Sequence, residues 1–331
     1  MIGTVARLTR WEWFKLRKRW MPWILLVILV LFSQIAIVAS YFNYQSASSG
    51  GQIPLSDAPG TSERLRFVQC GDVLASPPVL PADVNPQVAA GLRAQCEGRA
   101  VRRSVEMAIH YNNLMLPGSI TTAIGAGSAI GGLLIAVLAA SVVGVEYGWG
   151  TMRTTLVRGT GRTQYLTGKF AVLFLAAFGA LVVVAIGAAI ASLIASLLVS
   201  APPGVVAPAW DASIETLGRA WFGFVPVIAL TVMLTVLTSS TATGMAGGIG
   251  YSIAEPLVLA LLGAISERFT KAGDYLLAAN ITGWNGSQGF GATSSVSSTH
   301  HFVVLLIYTT VFIALSVWLL RSRDVSKATG T

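Results

Sequence analysis

Two long runs without a charged residue constrain this chain more than any other feature. They cover residues 117–145, a run of 29, and residues 170–199, a run of 30. A helix needs about 20 apolar residues to cross about 30 Å of hydrocarbon, so each run is long enough to span a membrane. Residues 146–169 between them carry four cations and one anion. Because short loops rich in Lys and Arg stay on the cytoplasmic side, this segment is predicted to be a cytoplasmic loop.

The composition supports a membrane protein. Only 11% of the 331 residues are charged and 54% are hydrophobic, whereas soluble domains contain about 25% charged residues. The net charge of +8 comes from cations that flank apolar runs. This placement favours anionic lipid headgroups as partners and argues against nucleic acid.

The fold class predicted from these patterns is an all-α membrane protein with six transmembrane helices. Residues 220–264 must cross twice, because the basic N-terminus and the basic residues after position 320 are both expected in the cytoplasm. The predicted spans are residues 21–42, 117–145, 170–199, 220–239, 244–264 and 302–320. The remaining segments are an interfacial helix (1–20), a cytoplasmic loop (146–169), a cytoplasmic tail (321–331) and external segments (43–116, 200–219 and 265–301, the last with a candidate re-entrant helix at 275–279).

The N-terminal segment is predicted to be a helix that lies at the membrane interface. Residues 2–20 hold six cations and one anion, together with Trp11, Trp13 and Trp20. Basic amphipathic helices with indole rings are typical of headgroup depth.

The cytoplasmic loop contains an ordered motif. Glycines at 148 and 150 and at 159 and 161 bracket Thr151–Val157, which is long enough for about two helical turns. The order of residues resembles the pattern of ABC-2 type transporter permeases, and the residues that carry the resemblance are Glu146, Gly150, Thr151, Arg153, Leu156, Arg158, Arg162 and Lys169. In that family the segment is the coupling helix, which docks into a cleft of a separate ATPase subunit.

Both termini add to the resemblance. Trp11-Glu12-x-x-Lys15 is similar to the E-x-x-K of the N-terminal connecting helix in ABC-2 permeases, although a helix-surface ion pair has the same spacing. The ending Arg321-Ser322-Arg323-Asp324 is similar to the end of that family. The resemblance implies a type V exporter-like architecture, with an N-terminal interfacial helix and a cytoplasmic coupling helix.

The function that the resemblance implies is that of the permease subunit of an ATP-driven exporter. Its cargo would be hydrophobic or amphipathic, such as a drug, an antibiotic or a lipid-like molecule. Its partners would be ABC ATPase subunits, a second copy or a homologous permease, and membrane lipids. Two alternatives stay open: a non-conducting permease that transmits motion to an external partner, and a channel or secondary transporter that works without an ATPase.

No catalytic or cofactor motif is encoded. The stretch Gly161–Phe170 places six residues before Gly168-Lys169 where a phosphate-binding loop has four, and Phe170 stands where that loop needs a hydroxyl. With three histidines and no His/Cys cluster, no metal site is expected. We therefore expect no enzyme activity in this chain, and ATP and Mg²⁺ to be bound by the partner subunit.

Glu255 and the two cysteines are further candidates. Glu255 precedes Pro256 within the fifth predicted span, where a carboxylate either lines a pathway or is hydrogen-bonded beside a kinked helix. Cys70 and Cys96 both lie in the predicted external segment, so they form a disulfide there or remain two buried thiols. Around Cys96 a predicted helix carries an apolar stripe, made by Val88, Leu92, Cys96, Val101, Val105 and Ile109.

Overall fold

The structure is a computed structural model that describes residues 2–48, 52–55, 66–76, 78, 86–151, 161–203, 205–206, 208–266, 271, 273–286 and 296–322. This part of the chain is mainly helical. Its helices are α1 (Ile2–Lys18), α2 (Trp20–Ser48), α3 (Cys70–Leu74), α4 (Pro86–Leu114), α5 (Gly118–Gly148), α6 (Arg162–Leu198), α7 (Trp210–Thr238), α8 (Thr241–Ile265), α9 (Leu277–Trp284) and α10 (Ser298–Ser322). A short 3₁₀ turn (Gly273–Tyr275) precedes α9, and two strands, β1 (Gln52–Leu55) and β2 (Arg66–Gln69), pair antiparallel with Gln52 opposite Gln69.

Six of the described helices are long and apolar enough to cross a membrane, namely α2, α5, α6, α7, α8 and α10. They contain 25 to 37 residues, which is about 37 to 55 Å of helix at about 1.5 Å per residue. The predicted number of spanning helices is confirmed, and the chain is a multi-pass membrane protein.

The turn between α7 and α8 explains why residues 220–264 form two helices. Ser239 adopts a left-handed backbone conformation with φ 54°, which ends α7. The Ser240 side chain then accepts a hydrogen bond from the Thr243 N–H at 3.3 Å, as a helix N-cap does.

The chain divides into two compact units. The first comprises Met1–Ser33, Ala123–Gly187 and Trp210–Thr331, and the second comprises Gln34–Thr122 and Ala188–Ala209. In the first unit α7 packs against α8 and α10, and α9 packs against α8, α7 and α10. Leu230, Leu277 and Leu305 form a buried cluster where these helices meet.

Glycines allow helices of the first unit to approach closely. A Cβ atom at Gly144 would lie 2.7 Å from the Cα atom of Thr241. A Cβ atom at Gly131 would lie 2.5 Å from the ring of Phe224. Small residues of this kind stabilise helix association in membranes through close packing. In lipid the hydrophobic effect does not drive apolar side chains together.

The second unit contains the hairpin and the two cysteines. The sulfur atoms of Cys70 and Cys96 lie at disulfide distance, with Cα atoms 5.3 Å apart, and both residues pack with buried Val73 and Leu92. The prediction of an apolar stripe along α4 is wrong beyond Cys96, because the side chains of Val101, Val105 and Ile109 are exposed. A spacing of five between residues 96 and 101 turns the helix by about 500°, well past a full turn, and so leaves the buried face.

Candidate functional site

Three helices bring charged side chains together within the first unit. Glu12 and Lys15 lie on α1, Glu146 lies two residues before the end of α5, and Lys169 lies two turns into α6. We call these four residues the ionic network. All four were predicted site residues, and they come from two segments that are more than 130 residues apart in sequence.

Lys169 is at the centre of the ionic network. Its Nζ donates to Glu12 Oε2 and to Glu146 Oε1, each at 2.6 Å, and to the Val142 carbonyl at 3.1 Å. Lys169 is 1% exposed and Glu146 is 3% exposed. A lysine ammonium has three donors, and here each of them has an oxygen acceptor.

Lys15 is partly exposed and supplies the second positive charge of the ionic network. Its Nζ contacts Glu12 Oε1 at 2.8 Å and Glu146 Oε1 at 3.2 Å. Two carboxylates and two ammonium groups sum to zero net charge, which is the condition under which charges are tolerated in a buried site. Burial opposes the charged form of Lys15, but the hydrogen bonds and charges of Glu12 and Glu146 together outweigh it, so the pKa of Lys15 is raised.

Tyr165 belongs to the same site and was missed by sequence reasoning. Its hydroxyl donates to Glu146 Oε2, and its ring lies 5.5 Å from the Nζ of Lys169. Tyr165 precedes Lys169 by four residues in α6, a spacing that places two side chains on one helix face. That spacing was the signal that could have identified it.

Gly168 lets α1 approach α6 at this site. A Cβ atom at Gly168 would lie 3.2 Å from the Cβ atom of Leu8, closer than most side-chain contacts allow. The absence of a side chain therefore permits the approach that brings Glu12 to Lys169.

Apart from Arg162, the remaining predicted coupling residues divide into two groups. Gly150 and Thr151 are described and exposed, and Gly150 has a positive φ of 65°. Arg153, Leu156 and Arg158, and with them the predicted helix Thr151–Val157 beyond its first residue, lie outside the described residues. On α1, Trp11 is exposed and stacks on Phe14 with ring centroids 6.1 Å apart.

Arg162 contacts the end of the last helix. Its Nη1 donates to the carbonyls of Leu320 and Arg321 at 3.2 and 2.7 Å, and Arg321 Nη2 donates to Thr163 Oγ1 at 2.9 Å. The last carbonyls of a helix lack partners within it and carry a partial negative charge, so a guanidinium stabilises them. These contacts fasten the start of α6 to the end of α10.

Glu255 is buried, and its carboxylate accepts a hydrogen bond from the N-terminal turn of the short helix α9. Its Oε1 accepts a hydrogen bond from the Ala279 N–H at 2.8 Å, in the first turn of α9. A carboxylate at a helix N-terminus satisfies an amide that has no partner within the helix. This contact agrees with the hydrogen-bonded alternative for Glu255, while its role in a pathway stays a prediction.

The short helix α9 contains the last three residues of the candidate re-entrant segment 275–279, and Tyr275 ends the 3₁₀ turn before it. Asn280 holds it in place: its Nδ2 donates to the carbonyls of Asp274 and Leu276 at 2.9 and 2.6 Å, and its Oδ1 lies 2.8 Å from His301 Nδ1.

The ionic network can hold three helices together, because every charged group in it contacts an opposite charge. Removing one partner of such a buried pair is strongly destabilising. The arrangement therefore favours a mechanical role.

Comparison with protein-family models matches residues 115–326 with a family described as "Protein of unknown function (DUF2705)". The match includes α5 to α10, and so Glu146, Tyr165 and Lys169 of the site. No curated protein matches the chain.

Proposed function

The chain belongs to the DUF2705 family of proteins of unknown function, and from the geometry of its ionic network we propose that it is the membrane-spanning permease subunit of an ATP-driven ABC exporter. One observation carries the proposal. The residues that resemble ABC-2 permeases at the N-terminus and those that flank the loop meet in one buried site.

In this proposal the loop between α5 and α6 receives force from a separate ATPase. The loop leaves α5 after Gly148 and enters α6 at Arg162, so it joins two spans directly. Arg153, Arg158 and Arg162 bring a positive charge that suits an acidic or carbonyl-lined cleft of the ATPase. Both termini and this loop lie in the cytoplasm, as the distribution of Lys and Arg favours.

The cargo and the partners follow from the same proposal. A second copy or a homologous permease would complete the pathway, and transport would run outward. Spans built of small and apolar residues suit a hydrophobic or amphipathic cargo such as a drug, an antibiotic or a lipid-like molecule. ATP and Mg²⁺ would bind to the ATPase subunits, and this chain would catalyse no reaction itself.

Affinity purification in mild detergent tests the proposal. The tagged chain should bring down a nucleotide-binding subunit in stoichiometric amount, and Arg153→Glu with Arg158→Glu should remove it while the chain stays inserted. The matched control reverses two cations of α4, Arg102→Glu with Arg103→Glu, and should leave the complex intact. If no nucleotide hydrolase accompanies the wild-type chain, a free-standing channel or secondary transporter becomes the better assignment.

A further inference from the structure

A cavity of about 270 Å³ lies within the first unit. It is lined by residues of α1, α2, α5, α6 and α7 and does not include the ionic network. Its walls are almost entirely apolar side chains and glycine, and examples are Leu26, Leu134, Leu138, Ala180 and Val183. A polar solute would lose its hydration there without gaining hydrogen bonds, so the cavity favours a hydrocarbon group.

The cavity is polar at one end only. Trp13, Arg17 and Trp23 line it near the junction of α1 and α2, and the Trp23 Nε1 donates to the Arg17 carbonyl at 3.1 Å. Leu29, Gly131 and Phe224 line it further along the helices. The part of α5 that lines the cavity runs from Gly131 to Leu138, a rise of about 10 Å along the helix.

Arg17 is the one charged residue among those that line the cavity. The acid of its own helix, Glu12, is held by Lys15 and Lys169. Among the described residues, no carboxylate lies within ion-pair distance of the Arg17 guanidinium. Arg17 is exposed, so an anionic group of a ligand can reach it, and a guanidinium binds phosphate through two parallel hydrogen bonds.

We propose that this cavity binds an acyl chain of an anionic phospholipid, with the lipid phosphate on Arg17 and the chain between α2, α5 and α6. The tryptophans at the charged end fit this orientation, because indole rings prefer headgroup depth. A cationic amphiphile would be repelled by Arg17. The site requires only that the chain lies in a bilayer, so it does not depend on the exporter assignment.

Gly179 offers a way to fill the cavity. It lines the cavity on α6, and a Cβ atom placed on it would meet no other atom within 4 Å. The Cβ atom of a leucine in Gly179→Leu therefore lies in open space beside the cavity. Gly132→Leu is the matched control, since Gly132 also has open space around it but does not line the cavity.

The experiment uses the purified full chain in nanodiscs that contain phosphatidylglycerol with a photoactivatable group on one acyl chain. Crosslinks should map to α2, α5 and α6 beside the cavity. Labelling should fall about tenfold in Gly179→Leu and stay unchanged in Gly132→Leu. Arg17→Gln should lower labelling by about tenfold or more, the factor for one hydrogen bond to a charged group.

Competition in the wild-type chain keeps the test independent of any variant's folding. Unlabelled phosphatidylglycerol should displace the probe at least about tenfold better than phosphatidylcholine, which has the same chains but no net charge. Equal displacement by the two lipids would overturn the role of Arg17. Unchanged labelling in a folded Gly179→Leu variant would overturn the location.

Discussion

Replacing Lys169 by Met tests whether the ionic network holds the first unit together. The change keeps an unbranched side chain but removes the ammonium group that contacts Glu12 and Glu146, each at 2.6 Å. Both carboxylates are buried, so water cannot replace the lost partner without opening the site. The variant should therefore be destabilised by two carboxylates that have lost their main counter-charge.

The structure sets the size of the effect. Removing one partner of a buried ion pair costs about 3–5 kcal/mol. Lys15 still contacts both carboxylates, at 2.8 and 3.2 Å, so we expect the lower end, about 3 kcal/mol. The matched control is Arg93→Met, which removes a pair with Glu97 at 3.3 Å whose side chains are 57% and 60% exposed. An exposed pair contributes only about 0–1 kcal/mol.

The measurement is the free energy of unfolding, from reversible titration with sodium dodecyl sulfate in mixed micelles followed by tryptophan fluorescence. A double variant, Lys169→Met with Glu146→Gln, should lose less than the sum of the two single losses, by an interaction energy of roughly 1 kcal/mol or more. The reasoning is refuted if Lys169→Met loses no more than Arg93→Met does, or if the two changes add.

Three further changes probe other contacts within the first unit. Tyr165→Phe removes the hydroxyl that donates to Glu146, and the same titration should show a loss of roughly 1–3 kcal/mol. Arg162→Gln removes donors from the last carbonyls of α10, so hydrogen exchange should become faster in the last turn of that helix and stay unchanged in α4. Gly283→Ala would place a Cβ atom 2.5 Å from the ring of His301, and we expect a loss of roughly 1–3 kcal/mol from overpacking; an unchanged stability would contradict that contact.

The number of spanning helices could be predicted from the sequence because hydrocarbon imposes a length on every uncharged run. The helix ends could not be predicted in this way, because the charged residues Glu146 and Lys169 were taken to bound the second and third spans, whereas both lie inside helices. Helix α6 begins at Arg162, eight residues before the predicted span. Its charges are accommodated by contacts, Lys169 with two carboxylates and Arg162 with the end of α10.

The start of α7 was also predicted at the wrong residue. Residues 210–219 were predicted to be an external loop, but the helix begins at Trp210. Asp211 lies in its first turn and accepts a hydrogen bond from the Ala212 N–H at 2.8 Å. A carboxylate in the first turn stabilises a helix, so the acid that indicated a loop is a helix-start signal.

The individual residues of the candidate site could be predicted from the sequence, but the contacts between them could not. Glu12 and Lys15 are three residues apart, and that pair can be read locally. The contact between Glu12 and Lys169 joins positions separated by 157 residues, and no periodicity encodes it. A pattern that resembles ABC-2 permeases at each end of the contact indicated two functional segments, and only the packing of α1 on α6 shows that they form one site.

Because α1 packs on α6, a force on the loop between α5 and α6 would act on α1 as well as on those two helices. A loop that only joins two spans would transmit motion to α5 and α6. The ionic network also fastens α1 to both, through Glu12 on Lys169 and Lys15 on Glu146, and separating a buried pair of this kind costs about 3–5 kcal/mol. Shifting α1 away from the other two helices is therefore harder than moving all three together. Since α2 begins two residues after α1 ends, the same motion would also reach the N-terminal end of the first spanning helix.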